Sequence, residues 1–349
     1  MTQVTEHLAR CNKIIILFVV LLFSVTQSYG QVFPDRSVHK ILKTGIKLIV
    51  DQKYDEAEKL FDQLDKTRRD LPLGKIYLAA TSIAKSYDYE QPFDEKLIES
   101  YLQGAKKVSE RLINIDKTNI WYNYFLALTQ GYSAYFSAIK RDWFSAFSTG
   151  LNSISYFEYC LELDQNFYEA LIAIGSYKFW RSKKTEFINW LPFVPDEKEL
   201  GIEYLEKAVK QSGYNSHLAV HSLIWIYIEQ EQYQDAIKIA ETALKENPTS
   251  RVFKWGLARA YEDIKPQRSI QLYNEILSSY PKELKSNKIN EVTLQHLIAQ
   301  QLMKLGKKNE ALAICNEILS INGYNSYEID KLNDRLERVR TLKNELTKK

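Results

Sequence analysis

Two histidines four residues apart are the strongest candidates for chemistry in this chain. His217 and His221 would lie on one face of a helix, where two imidazoles can share a divalent metal ion. Hydrolytic zinc sites carry a glutamate directly after the first histidine, whereas Leu218 stands there in this chain, and no third ligand can be named. We therefore interpret both histidines as ordinary helix residues and predict no metal site.

The other motifs of catalysis are missing from the sequence. No glycine-rich phosphate loop, nucleophile elbow or paired CxxC motif occurs. Carboxylates are abundant, but no particular pair stands out. Cys160 and Cys315 are the only thiols beyond residue 30, and their wide separation in the chain favours two buried free thiols over a disulfide. The sequence predicts neither an enzyme nor a bound cofactor.

The composition is typical of a folded helical protein. Of the 349 residues, 45% are hydrophobic and 13% aromatic, which is enough for a large core. Only 12 glycines and 8 prolines occur, too few for the turns of an all-β or doubly wound protein of this length. The formal charge is +3, with lysines and glutamates interspersed rather than gathered into one basic face. We expect helices joined by short loops and no nucleic-acid partner.

Residues 1–30 have the order of a secretory signal peptide. The basic Arg10 and Lys13 precede an apolar run at 14–25, and small residues follow up to Gly30. The alternative is an uncleaved membrane anchor, but 12 apolar residues fall short of the roughly 20 that cross a bilayer. We expect cleavage after Gly30 and a protein exported to the periplasm or the extracellular space, without a transmembrane span.

Beyond residue 36 the apolar residues recur mainly at spacings of three and four, which indicates amphipathic helices. The helical pattern itself repeats with a period of about 34 residues. In one unit, Ala236, Ala240 and Ala243 place small side chains on one stripe, and Pro248 ends the helix. The clearest units are 38–71, 217–250, 251–283 and 292–325.

Two stretches carry a resemblance to a known repeat. EQYQDAIKIAETALKENP, from Glu231 to Pro248, and LGKKNEALAICNEIL, from Leu305 to Leu319, resemble the turn and second helix of the tetratricopeptide repeat (TPR). The resemblance implies that residues 31–349 form one all-α domain, a right-handed superhelix (α-solenoid) of about seven TPR-like helical hairpins.

Two segments depart from the repeat. Residues 180–195 form an aromatic, proline-containing insertion, which we expect to pack against the array or to cover part of its groove. Just after it, Asp196 and Glu199 predict a capping box at a helix start. Residues 327–346 are rich in charge and have one apolar stripe, which predicts a C-terminal capping helix.

The resemblance also implies which side chains face a partner. In tetratricopeptide repeats the first helix of each pair lines the concave face, with its fifth and ninth positions directed into the groove. Two tryptophans and an arginine at such positions are typical of a binding hot spot. The alternative, that both tryptophans pack between helices as core, stays open. The positions are His221, Trp225, Trp255, Arg259, His296 and Gln300.

The sequence thus predicts a non-catalytic protein–protein interaction scaffold of the cell envelope, which binds a peptide or helix of another protein in its concave groove. The alternative is an extracytoplasmic carrier of a glycan or other small ligand, with residues 180–195 as a lid. The scaffold predicts a long open groove. The carrier predicts a deep pocket bordered by Trp190 and Phe193.

Overall fold

Fifteen α-helices make up most of the residues that the structure describes. The computed structural model describes residues 31–188, 195–281 and 288–348, and in these ranges it contains helices and no strand. In chain order the helices are α1 (Arg36–Val50), α2 (Tyr54–Thr67), α3 (Leu73–Asp88), α4 (Glu95–Ile115), α5 (Ile120–Ile139), α6 (Trp143–Leu163), α7 (Tyr168–Lys184), α8 (Lys198–Gln211), α9 (Ser216–Glu229), α10 (Tyr233–Glu246), α11 (Arg251–Tyr261), α12 (Pro266–Ser279), α13 (Lys288–Lys304), α14 (Lys308–Ser320) and α15 (Ser326–Thr347).

The helices pair in sequence order into seven hairpins, from α1–α2 to α13–α14, and α15 packs against the last of them. The odd-numbered helix comes first in each hairpin, and first helices such as α7, α9 and α11 also pack side by side. Each hairpin thereby buries its apolar face against its neighbours. The prediction of an all-α solenoid of about seven hairpins with a capping helix is confirmed.

The turn inside a hairpin has the same backbone conformation in five of the seven. At each of these turns one residue has a left-handed φ, and the following N–H donates to the carbonyl five residues earlier, as Lys53 does to Leu48 at 2.8 Å. The arrangement satisfies a carbonyl at the end of the first helix and reverses the chain in the same way each time. The left-handed residues are Gln52, Glu90, Arg141, Glu231 and Gly306.

Small residues allow the helices to approach closely. Ala236 and Ala240 of α10 are fully buried, as their spacing predicts. Gly175 of α7 faces Gly201 of α8, and a Cβ atom on Gly175 would lie 2.7 Å from the carbonyl oxygen of Gly201. These two helices therefore cross with their backbones in contact, and a side chain at either glycine would force them apart.

The start of α8 differs from the prediction. The helix begins at Lys198 and is preceded by Glu197, which makes no capping hydrogen bond with its side chain. Asp196 instead accepts a hydrogen bond from the Lys198 N–H at 3.1 Å. The predicted capping box is therefore wrong, because the later start puts Glu199 at the second helical position instead of the third. A complete capping box opens α15, between Asn325 and Glu328.

Part of the 180–195 insertion can be described. α7 extends to Lys184, and a single 3-10 turn follows at Glu186–Ile188. Residues 189–194, with Trp190 and Phe193, lie outside the described residues, as do residues 1–30, so the lid and the signal peptide stay predictions. Within the described ranges, every helix is too short or too polar to span a bilayer.

The beginning of the chain folds back against later hairpins. The Phe33 N–H donates to the hydroxyl of Tyr214, just before α9, at 2.8 Å. At the other end of α1, Lys47 Nζ donates to Asn247 Oδ1, just before α11, at 3.0 Å. Helix α1 therefore lies along an edge formed by the N-terminal ends of later first helices.

Candidate functional site

A buried ion pair joins the start of the array to its later part. Arg251, the first residue of α11, is 5% exposed, and its Nε donates to Asp88 Oδ1, at the end of α3, at 2.8 Å. The guanidinium carbon lies 4.6 Å from the ring centre of Tyr280 and 5.5 Å from that of Tyr89. Tyr54 donates its hydroxyl to Asp88 Oδ2 at 3.1 Å. We call these five residues the closing junction, in which both charges are satisfied by the chain itself.

A second buried network is centred on Glu169 of α7, which is 4% exposed. Its carboxylate accepts hydrogen bonds from the Tyr124 hydroxyl at 3.1 Å, the Tyr214 N–H at 2.6 Å and Asn215 Nδ2 at 2.8 Å. Asn215 Nδ2 also lies 3.3 Å from the Tyr77 hydroxyl. Burial raises the pKa of Tyr77 and of Tyr124 well above the ordinary value, so both hydroxyls stay protonated. The network ties together the first helices of four consecutive hairpins.

The solvent-facing side of α9 carries two of the predicted partner-binding residues. His221 is exposed and Trp225 is half-buried, on the side of the helix opposite the buried Leu223. The indole N–H of Trp225 donates to Nε2 of His221 at 3.0 Å. Desolvation by the protein around it lowers the pKa of His221 to about 4, although its ring is open to solvent. The imidazole is therefore neutral at pH 7, and its Nε2 is able to accept this hydrogen bond.

The next first helix, α11, presents Trp255 and Arg259, and both are half-buried. The Trp255 ring meets Tyr273 edge to face, with the ring centres 5.6 Å apart. Arg259 forms an ion pair with Glu262, whose other carboxylate oxygen accepts the Tyr273 hydroxyl at 2.6 Å. Both predicted residues are thus partly engaged by the chain and partly accessible.

The structure buries one predicted residue of α13. His296 is 1% exposed, and its Nδ1 lies 3.4 Å from Nη1 of Arg335 on α15. Burial lowers the pKa of His296 to about 4, with a further contribution from Arg335 and Arg338. The expectation that His296 faces a partner is wrong because the capping helix covers this position of the last hairpin. Gln300, one turn further, is half-buried.

Two arginines of α15 belong to the same surface and were not among the predicted residues. Arg338 is exposed and Arg335 is half-buried, and neither forms an ion pair with a carboxylate in the described part of the chain. Glu90, at the end of α3, acts on Arg335 electrostatically, and desolvation lowers the pKa of Arg335. The signal that would have found them is a basic stripe, since Lys331, Arg335 and Arg338 share one face of the helix.

We use the name concave face, after the position that the resemblance implies, for the surface that these first helices and the capping helix present. The stacked helical hairpins agree with the architecture that the resemblance to the tetratricopeptide repeat implies. The concave face consists of His221, Trp225, Trp255, Arg259, Gln300, Arg335 and Arg338.

Comparison with known proteins finds similarity to solved structures only. No protein-family model and no curated protein sequence matches the chain. A tetratricopeptide repeat protein from Parabacteroides merdae is 14% identical, covers 90% of this chain and all of its own, and superposes with a TM-score of 0.37. The C-terminal part of a TPR repeat-containing protein from Cytophaga hutchinsonii is 17% identical, covers 83% of this chain and 99% of its own, and has a TM-score of 0.39. Neither similarity assigns a partner to this chain.

The helical array also has a cavity of about 920 Å³ beside the closing junction. Its wall includes Tyr89, Arg268, Asn274, Glu275 and Asn290, so polar groups and the apolar parts of these side chains both line it. None of the predicted partner-binding residues lines it. In the described ranges, no three His, Cys, Asp or Glu side chains stand close enough together to hold a metal ion.

Proposed function

We propose that this tetratricopeptide array is a non-catalytic scaffold that holds a peptide or a helix of another protein against its concave face. The proposal rests on a contrast between the charged side chains of the closing junction, which find partners within the chain, and an exposed arginine of the concave face, which does not. The chain supplies partners for Arg251 and Asp88, whereas Arg338 is exposed and pairs with no carboxylate in the described part of the chain. Stacked hairpins present such a surface as one extended curve, which suits a linear partner.

The chemistry of the concave face favours a particular kind of partner. Trp225 offers a large, partly accessible ring whose indole N–H is already hydrogen-bonded to His221, so an apolar partner can cover the ring without leaving that donor unpaired. Arg335 and Arg338 offer guanidinium groups to carboxylates, with which they form charge-assisted hydrogen bonds. The partner should carry an apolar or aromatic side chain near Trp225 and acidic groups, or a C-terminal carboxylate, near α15.

The proposal places the protein in the cell envelope, in the periplasm or outside the cell. This part rests on residues 1–30, whose basic, apolar and small residues follow the order of a signal peptide.

The test is an affinity capture from envelope extract with the purified protein and two variants. The first variant combines Trp225→Ala with Arg338→Glu on the concave face. The matched control combines Ile115→Ala, 72% exposed at the end of α4, with Arg340→Glu, on another face of α15. Circular dichroism verifies that both variants keep the helical content of the unchanged protein.

A protein captured by the unchanged chain and by the control, lost by the concave-face variant, and bound again in purified form would support the scaffold. Equal capture by all three would move the binding surface away from the concave face. If the unchanged protein captures nothing, the alternative of a glycan or small-ligand carrier takes its place, and binding would then be sought with a library of soluble glycans.

A further inference from the structure

Three large aromatic rings protrude from the start of α6. Trp143, Phe144 and Phe147 are 68%, 84% and 68% exposed, and Leu151 continues their stripe at 36%. We call the three rings the aromatic tip. Monomeric proteins scatter exposed apolar side chains singly and rarely group several large ones on two helical turns. The aromatic tip therefore marks a contact surface, and it lies outside the concave face.

The tip is held in place by a well-formed helix start. Asp142 is the N-cap of α6, and its carboxylate accepts a hydrogen bond from the Ser145 N–H at 3.2 Å. The cap satisfies a backbone donor that the first turn would otherwise leave unpaired. The exposed rings thus project from a fixed helical turn.

Beside the tip lies a hollow of about 320 Å³ between α5, α6 and α7. Its wall is apolar and includes the small residues Gly131, Ala134 and Gly150. A Cβ atom on Gly150 would lie 3.7 Å from the Cβ of Ala134, so α5 and α6 pack closely at the base of the hollow. The ring of Phe147, one turn along from Phe144, forms part of the rim. One surface therefore carries both a protruding ring and an apolar hole.

We propose that a second copy of this chain covers the surface in a two-fold dimer, in which Phe144 of each copy enters the hollow of the other. A two-fold interface uses the same patch on both subunits, so each patch must contain both the projection and the hole that receives it. Residues 143–157 include no charged side chain, and two copies can face each other there without repulsion between like charges.

The available area is sufficient for a weak to moderate dimer. The three rings of two copies would together remove roughly 700–1,000 Å² from water. With the flanking surface of Leu151 and Ser148, both exposed, the contact reaches the lower end of the ~1,200–2,000 Å² found in stable interfaces.

A lipid surface fits these observations less well. Basic groups beside an aromatic cluster would attract anionic lipids, but Lys140 is paired with Glu95 at 3.3 Å and with Glu99 at 2.5 Å. Asp142 offsets the charge of the neighbouring Arg141. A bilayer also offers no rigid ring to fill the hollow.

The experiment is analytical ultracentrifugation of the purified protein without lipid or any other protein. We expect a concentration-dependent dimer. Phe144→Glu should raise the dimer Kd by about 100-fold or more, as expected when a central aromatic anchor is replaced by a charge. Phe187→Glu is the matched control, because Phe187 is 79% exposed but lies outside the tip, and its Kd should not change.

A second variant tests the hole instead of the ring. Ala146→Phe fills the hollow from its own α6 and leaves Phe144 in place, so it should weaken the dimer as well, with circular dichroism as the check on folding. A monomer at about 100 µM, well above the Kd that such an interface would give, overturns the proposal. So does a dimer that survives both variants. Co-sedimentation of a monomer with phosphatidylcholine or phosphatidylglycerol vesicles would assign the tip to a membrane instead.

Discussion

The closing junction and the concave face both contain arginines and aromatic rings, but these side chains are largely buried in the junction and accessible on the concave face. In the junction, Arg251 is stacked on tyrosine rings and paired with Asp88, and its guanidinium has almost no contact with water. On the concave face, Arg338 has no carboxylate partner in the described chain, and Trp225 leaves part of its indole accessible. The difference is whether the chain supplies the partner itself. Where it does, an arginine among aromatic rings stabilises the fold. Where it does not, similar residue types are available for another molecule.

The largest effect is expected in the closing junction. Arg251→Ala leaves Asp88 buried without its cation, which should lower the free energy of unfolding by about 3–5 kcal/mol. Urea denaturation followed by circular dichroism measures the loss. The matched control is Arg340→Ala, which breaks an exposed pair with Glu337 and should cost less than about 1 kcal/mol. Similar small losses in both variants would mean that the junction does not hold the two parts of the array together.

A smaller loss is expected in the Glu169 network. Glu169→Ala leaves the backbone N–H groups of Tyr214 and Asn215 buried without their acceptor, which should cost about 2–3 kcal/mol of unfolding free energy. Glu203→Ala is the control, since Glu203 is exposed and pairs only with Lys207 within its own helix. The same denaturation assay compares the two, and an equal effect would argue that the network adds nothing to stability.

The smallest effect on stability is expected on the concave face. Truncating both His221 and Trp225 to alanine should lower the free energy of unfolding by no more than about 1 kcal/mol, because neither side chain is buried in the core. Tyr280→Ala, an aromatic of the closing junction that is 8% exposed, should cost about 3 kcal/mol or more. If the loss of His221 and Trp225 lowered the free energy of unfolding as much as Tyr280→Ala does, both residues would belong to the packing of the fold. The proposed scaffold would then need another binding surface.

Local pattern was enough to predict the helices and their pairing. Residues such as Ala236 and Ala240 act on the next helix in the chain, so their spacing carries the information. The closing junction could not be predicted in this way, because Arg251 and Asp88 are 163 positions apart and neither belongs to a repeated pattern. In a repeat of this kind each unit contacts its sequence neighbours, so the pattern predicts neighbouring contacts only. It carries no information about a contact between distant units.

Only part of the candidate site could be predicted, because the transfer of positions from the repeat applies only to helices that belong to a repeat. Transfer from the repeat named His221 and Trp225 of α9, which the structure leaves exposed and half-buried, respectively. It failed at His296, since a rule drawn from internal repeats does not hold where the capping helix covers the last one. It also passed over Arg335, because α15 belongs to no repeat. Whether the remaining residues bind a partner stays a prediction.

The closing junction has a mechanical consequence. In an open solenoid, small rotations between successive units add up, so the whole array can bend and stretch. Here α3 is fastened to α11 by a buried ion pair, and the rotations of the intervening units cannot accumulate freely. The part of the array between α3 and α11 should therefore resist bending and stretching more strongly than an open solenoid of the same length.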